Sequence, residues 1–309
     1  MNTLYVATIG GHIAELVELA DRIPREGERL WVTNDNDQTR DLLAGEPVEL
    51  VPYIGERAWR EVLREVPRAR RILRERGIRR VVSTGSAIAL AYLPVAASMG
   101  IEAHYIESST RVESISVSGR LLARTPGVRC WWQFATPPAG FHHIGGVYDG
   151  FVAAERPRGA DLERVVVTVG TTDHDFRRLI ARLVEIIPPG VEVLWQTGRS
   201  TVDDLPIDAK RMVPQSVLTK AIDEADVLVT HAGTGSLALA LQAGKVPVFV
   251  PRRASFKEHL DDHQLELATW AHSVGLAIHV EADQIQLTDL EAAAGLHVSH
   301  EPAGELLLV

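Results

Sequence analysis

The stretch that most restricts how this chain can fold lies between Val227 and Val250 and reads VLVTHAGTGSLALALQAGKVPVFV. Residues 227–230 form a β-branched, apolar run that predicts a buried strand, with His231 at its end. Ala232, Gly233, Thr234, Gly235 and Ser236 then break the strand, residues 237–243 favour helix, and Gly244 stops that helix. Residues 246–250 make the next strand, which Pro251 ends. A strand, a glycine turn and a helix N-terminus in succession present unpaired amides and the positive end of a helix dipole to an anion. Taken alone, such a turn serves tight backbone packing as often as it serves a phosphate. Here a polar cluster follows the second strand: Arg252, Arg253, Lys257, Glu258, His259, Asp261, Asp262, His263 and Gln264. In an open parallel sheet both loops lie beyond the carboxyl ends of the strands. One offers donors to phosphate and the other offers groups suited to sugar hydroxyls, which is the outline of a nucleotide-sugar site.

The same grammar runs through the rest of the chain. Residues 4–9 predict a strand that enters Gly10-Gly11-His12 and a helix over 13–20. Strands follow at 30–33, 48–53, 80–83, 102–106 and 128–134, separated by helical stretches at 56–76, 88–99 and 116–124. In the helix over 56–76, Trp59, Leu63, Val66 and Leu73 recur at helical spacing, and Pro67 is a candidate kink. Residues 151–163 carry Pro157 and Gly159 without any period and read as a linker. The alternation restarts at 164–169, passes Gly170-Thr171-Thr172, and continues to a closing strand at 276–280, then a short helix and a weakly specified tail. The expected fold class is α/β: two Rossmann-like, doubly wound domains facing a cleft, over 1–150 and 164–309.

Charge and cysteine usage narrow the class. The net charge is −9, which argues against general nucleic-acid binding. From Arg57 to Arg80, however, ten arginines outnumber three glutamates, so a +7 segment sits in an acidic chain. Attraction to anionic lipid headgroups, or to a diphosphate on a lipid carrier, accounts for that excess where packing does not. Cys130 is the only cysteine, which suits a reducing compartment, and neither a signal peptide nor an apolar span is read in the sequence. The expectation is a cytoplasmic protein, peripheral at the inner membrane face.

Taken together the motifs resemble GT-B glycosyltransferases that use UDP-sugars. Gly170-Thr171-Thr172, the His231–Ser236 run and Glu258-His-Leu-Asp-Asp-His-Gln264 are similar to the Alg13-type donor subunit. Gly10-Gly11-His12, Ser83-Thr84-Gly85-Ser86, and Glu107 with Arg111 and Ser118-Gly119-Arg120 are similar to the Alg14-type acceptor subunit. Bacterial exopolysaccharide transferases of the PssD/PssE kind resemble the chain more closely; there the halves are usually separate, and here they are fused. One position departs. Many GT-B enzymes hold the ribose with a glutamate three residues after the motif serine, where this chain has Leu239.

The resemblance implies metal-independent, inverting transfer of a hexosyl unit from a UDP-sugar to a lipid-linked or saccharide acceptor, with no cofactor. Gly170, Thr171, Thr172, His231, Gly233, Thr234, Gly235 and Ser236 would hold the donor diphosphate; the two threonines are equally ordinary as a helix cap. Asp262, His263 and Gln264 would meet the sugar, or else cap the following helix. His12 is the expected base, kept neutral beside a helix N-terminus. Glu107 would orient or replace it, and Arg111 with Gly11 would meet an acceptor phosphate, unless Glu107 and Arg111, four residues apart, form a plain salt bridge. Arg252 and Arg253 suit an anionic sugar. Asp35-Asn36-Asp37 imitates a metal-binding DXD but reads as a solvated turn. Two other readings share these features: a UDP-sugar epimerase, and a nucleotide-sugar-binding subunit that activates another enzyme.

Overall fold

The computed structural model describes residues 1–25, 27–55, 58–156, 162–170, 174–259 and 262–309. It divides into two compact units, 1–149 with 303–309, and 150–302.

The first unit is built on a parallel sheet of seven strands among the described residues: β1 (Thr3–Ala7), β2 (Arg29–Thr33), β3 (Val48–Leu50), β4 (Arg80–Gly85), β5 (Glu102–Ile106), β6 (Val128–Trp132) and β7 (His142–His143). Their spatial order is β3-β2-β1-β4-β5-β6-β7, so the chain reverses direction across the sheet between β1 and β4. The helices are α1 (Gly11–Arg22), α2 (Asp37–Leu42), α3 (Trp59–Glu75), α4 (Ala89–Ser98) and α5 (Val117–Leu122). Central strands read as continuous apolar runs because helices cover both faces; β1 is buried at every position.

The second unit repeats the plan. Strand β8 (Phe151–Glu155) precedes β9 (Arg164–Thr168), β10 (Glu192–Gln196), β11 (Ala209–Lys210), β12 (Val227–His231), β13 (Val248–Val250), β14 (Ile278–His279) and β15 (Leu296–His300). Six of these form a parallel sheet in the order β11-β10-β9-β12-β13-β14, reversing between β9 and β12. The helices are α6 (Arg177–Ile186), α7 (Gln215–Glu224), α8 (Thr234–Gln242), α9 (His263–Ser273) and α10 (Leu287–Ala294). Val165, Val167, Val229 and Val248 pack with Leu179, Ile180 and Leu183 of α6 in its main core.

Three expectations are corrected. The linker expected over 151–163 begins as β8, which pairs antiparallel with β15 from Phe151↔His300 to Leu296↔Glu155; residues 157–161 of that stretch lie outside the described residues. Neither strand looks like one in isolation, because each is an edge whose partner is far away in sequence. The tail expected to be weakly specified contains β15, and its last residues return to the first unit. There Leu306 and Leu308 are buried with Ile13, Leu16 and Leu19 of α1, and Arg22 takes hydrogen bonds to and from the segment at Gly304 and Leu306.

The third correction concerns α3. Its buried face is Val62, Glu65, Ala69, Ile72 and Leu73, whereas Trp59 and Leu63 are 48% and 70% exposed. On that buried face Glu65 accepts a hydrogen bond of 2.9 Å from the Tyr92 hydroxyl on α4, which satisfies its carboxylate among apolar neighbours. Pro67 sits inside the helix without ending it.

Candidate functional site

The order of strands places the conspicuous motifs. In each unit the strands reverse at a point where two neighbouring carboxyl ends diverge, leaving a crevice for a ligand. In the second unit that point lies between β9, which runs into Gly170, and β12, which runs into the 231–236 turn. In the first it lies between β1, which runs into Gly10-Gly11-His12, and β4, which ends at Gly85.

At the second unit's switch point the two glycine motifs interlock around one ring. Gly170 has φ +78°, and a Cβ there would stand 2.5 Å from Cε1 of His231; a Cβ on Gly233 would stand 2.6 Å from Nε2 of the same imidazole. The glycines are glycines because the His231 ring occupies the space between them. Burial lowers this imidazole to about 3, helped by the nearby Arg252 guanidinium, so the ring is neutral and serves as a wedge. With that wedge in place, Gly233 is the N-cap of α8 and supplies no side-chain cap to the first turn of Thr234, Gly235 and Ser236. A Cβ on Gly235 would meet nothing within 4 Å among the described residues. Thr171 and Thr172 lie outside the described residues. Leu239, at the position many GT-B enzymes give to a ribose-binding glutamate, packs against the core of Leu218, Ile222 and Leu228.

The expectation that Arg252 reads an anionic sugar is overturned. Arg252 is 1% exposed and donates to the carbonyls of Val169 (2.6 Å), His174 (2.7 Å) and Glu258 (3.4 Å), with its guanidinium 5.1 Å above the Phe176 ring. It is a tie between the loop after β9 and the loop after β13. Arg253 is engaged likewise, with Glu281 at 2.7 Å and Asp262 at 3.5 Å. Gln264 is buried and its Oε1 accepts from the Arg252 amide at 3.0 Å, and Asp262 accepts from the Ala254 amide at 2.9 Å. These two shape the 252–262 loop from within. Asp262 is the N-cap of α9 by position but makes no side-chain cap bond. His263 instead meets His259 edge to face at 4.6 Å, and His259 meets His174 at 5.1 Å.

At the first unit's switch point His12 is the second residue of α1. Its carbonyl accepts from the Thr84 hydroxyl at 2.9 Å, and its Cε1 lies 3.3 Å from where a Cβ on Gly85 would be. The Ser83–Ser86 motif is thus the wall behind this imidazole. Its Nδ1 is buried without a hydrogen-bond partner among the described residues. Burial lowers the ring to about 4, and Arg111 adds to the effect, so the imidazole is neutral at neutral pH. The structure does not pair Glu107 with His12. Both Glu107 oxygens are taken within the first unit: Tyr105 donates to Oε1 at 2.9 Å, and the amide and hydroxyl of Ser116 donate to Oε2 at 3.2 Å each. A Cβ on Gly119 would overlap that carboxylate, which explains the glycine. Nor do Glu107 and Arg111 form an ion pair, although Arg111 is near enough to pull the buried carboxyl down against the raising effect of burial. Tyr105 and Ser116 were not expected as part of this site; neither belongs to a motif, and their partner is found only through the fold. Asn36 caps α2 by accepting from Thr39 at 2.7 Å, and Arg40 takes both Asp35 and Asp37, so the DXD look-alike is a cap with its own counter-ion.

Two Rossmann-like units, each with a glycine-lined site at its switch point, define the GT-B architecture. Residues 164–302 of the second unit match the model of the glycosyltransferase family 28 C-terminal domain. Among curated proteins, the UDP-N-acetylglucosamine transferase subunit ALG13 of Mus musculus is 33% identical over 130 residues, covering 37% of this chain and 10% of that one. The chain therefore spans about a tenth of that relative's length. Solved structures agree on the fold over almost the whole chain. MurG of Acinetobacter baumannii superposes with a TM-score of 0.59 at 19% identity, covering 94% of this chain and 88% of that one. The glycosyltransferase SnogD from Streptomyces nogalater gives 0.60 at 18%, covering 95% and 93%. The UDP-GlcNAc 2-epimerase from Methanocaldococcus jannaschii gives 0.58 at 11%, covering 95% and 91%.

Proposed function

We propose that this chain is a glycosyltransferase that moves a hexosyl unit from a UDP-sugar to a lipid-linked or saccharide acceptor, without a metal and with inversion. The observation that carries this reading is the second unit's switch point, where His231 is wedged between Gly170 and Gly233 and the N-cap Gly233 begins the first turn of α8 without a side-chain cap. Such a turn stabilises the diphosphate that departs during transfer, the task a metal performs in other transferases. The match to a family 28 C-terminal domain supports it. In the first unit, neutral His12 is suited to take the proton of an acceptor hydroxyl through a ring nitrogen.

The test is a thermal-shift screen against UDP, GDP, CDP and TDP with EDTA throughout. A uridine-selective rise that survives EDTA is expected; no shift with any nucleotide sinks the proposal. His12→Ala is expected to keep UDP affinity and lose turnover by about a hundredfold or more, the size of a general-base contribution. Because its pKa is lowered to about 4, protonation of His12 removes the base only as pH falls through about 4, so the acidic limb of turnover belongs there and not near the usual histidine value. Retained turnover in His12→Ala favours the non-catalytic subunit reading, and isomerisation of a UDP-sugar without an acceptor favours the epimerase, whose fold is shared.

The acceptor side of this proposal places the first unit against an anionic membrane surface. Arg60, Arg64, Arg70, Arg71 and Arg74 on α3 are exposed, and so are Trp59, Leu63 and the nearby Leu50 and Tyr53. None of the described helices is long and apolar enough to cross a membrane. Co-sedimentation with vesicles containing anionic lipid is expected, weakening as salt rises. The double variant Trp59→Ala, Leu63→Ala is expected to bind severalfold less with unchanged melting temperature, since both side chains are already in water; equal binding removes the membrane from the proposal.

A further inference from the structure

One buried carboxyl in the first unit has no place in the reading above. Glu15 lies one turn beyond His12 on α1 and is 4% exposed. Its Oε1 accepts from the Ser109 amide at 2.6 Å and from Nε2 of Gln133 at 2.5 Å. Gln133, just beyond β6, in turn donates to the Glu107 carbonyl at 2.8 Å and accepts from the Val147 amide at 3.1 Å. The Ser109 hydroxyl reaches the Tyr148 hydroxyl at 3.5 Å. Four separate pieces of chain therefore meet at one side chain: α1, the loop after β5, the end of β6 and the turn at 147–148. The loop is the one that presents Glu107 at its start and Arg111 at its end, and the helix is the one that presents His12.

We infer that Glu15 is a positioning residue of the acceptor half, whose buried carboxyl pins the 107–111 loop to the helix carrying His12. The inference rests on the proposed role of His12 and Arg111, but the pin itself does not. An apolar residue would fill the same volume without reaching the Ser109 amide and the Gln133 side chain, and would leave both donors buried and unsatisfied. A carboxyl satisfies both through one oxygen, while Oε2 stays buried without a hydrogen bond.

That arrangement makes the pin sensitive to pH. Burial raises Glu15 to about 7, against the opposing pull of the Ser109 amide and Gln133. Facing it are Ser108 and Ser109 on the loop, Gln133, and the Tyr148 phenol, which feels both Glu15 and Glu18 of α1; burial raises that phenol and, on the same loop, the Glu107 carboxyl. The closed loop thus favours protonated Glu15, and an open loop that admits water restores the ordinary carboxyl value of 4.5. Opening becomes easier as pH climbs from that ordinary value through about 7, and gains nothing further above it.

Hydrogen exchange of the full chain reads this directly and needs no substrate, so its outcome is independent of whether a UDP-sugar binds. In the native chain the protection factors of residues 107–111 are expected to fall on the order of thirtyfold between about pH 5.5 and about pH 8.5. In Glu15→Gln, a neutral isostere that retains the accepting oxygen, they should stay high and flat. In Glu15→Ala they should be low at both ends; if that variant does not fold, Gln133→Ala takes its place. Parallel profiles in the native chain and Glu15→Gln would overturn the inference, as would undiminished protection in the alanine variants.

Discussion

Gly170→Ala is expected to abolish nucleotide binding and to cost about 3 kcal/mol of stability in the second unit. Two costs combine. The backbone at Gly170 has φ +78°, a region that costs an L-residue roughly 1–2 kcal/mol. The added methyl would also stand 2.5 Å from the His231 ring, and overpacking of this kind costs roughly 1–3 kcal/mol. The ring has nowhere to retreat, since Gly233 closes the opposite side at a distance that also admits no Cβ. Displacing it would tilt the start of α8. Urea denaturation and UDP-induced thermal shift measure the two effects, and Gly235→Ala is the comparison. There the methyl would enter open space in the helix's first turn, so stability should stay within about 1 kcal/mol while UDP affinity falls. If Gly170→Ala melts and binds like the native chain, the interlock is not what shapes the site.

The second large effect belongs to Arg252. Replacing it with methionine keeps an apolar stem over Phe176 but strands the carbonyls of Val169, His174 and Glu258. Leaving a buried carbonyl without its donor costs about 1–3 kcal/mol, so losing the donor to all three is expected to cost at least about 3 kcal/mol. Arg252→Lys should recover little, because a single ammonium point cannot span carbonyls that a planar fork reaches with two nitrogens. Chemical denaturation with the second unit's Trp195 and Trp270 fluorescence as the probe would record the loss. An effect below about 1 kcal/mol would mean that the loops after β9 and β13 are held by other contacts.

Strand and helix periodicity made most of the fold legible, because the central strands of both sheets are apolar throughout and the glycine turns punctuate them. What escaped was set by distant partners. Strands β8 and β15 are edges that exist through each other, with Phe151 opposite His300. The buried face of α3 includes Glu65 meeting Tyr92, a polar pair that no hydrophobic stripe reveals. At the candidate site, the motif residues that were legible were those fixed by local backbone, such as Gly170, Gly233 and His231. Arg252 misled because an arginine in a polar run reads as a ligand-binding cation, and only the three carbonyls around it show that its valences are spent internally. Glu15 and Gln133, 118 positions apart, carried no signal in the sequence at all.

The path of the last residues has a consequence for how such a protein can be divided. Seen as a string, the second unit is an insertion: the chain leaves the first unit after Asp149 and re-enters it at Ala303, and the Glu301 amide bonds the Gly150 carbonyl at 2.9 Å where exit and return run side by side. A gene cut at the apparent junction would therefore not yield two self-sufficient proteins. The leading fragment would lack Leu306 and Leu308, leaving a hole beside α1, and the trailing fragment would carry that plug as a loose apolar end. The two units are joined by a shared core as well as by a shared reading frame, and the fragment bearing His12 would depend for its completeness on the fragment bearing the second unit.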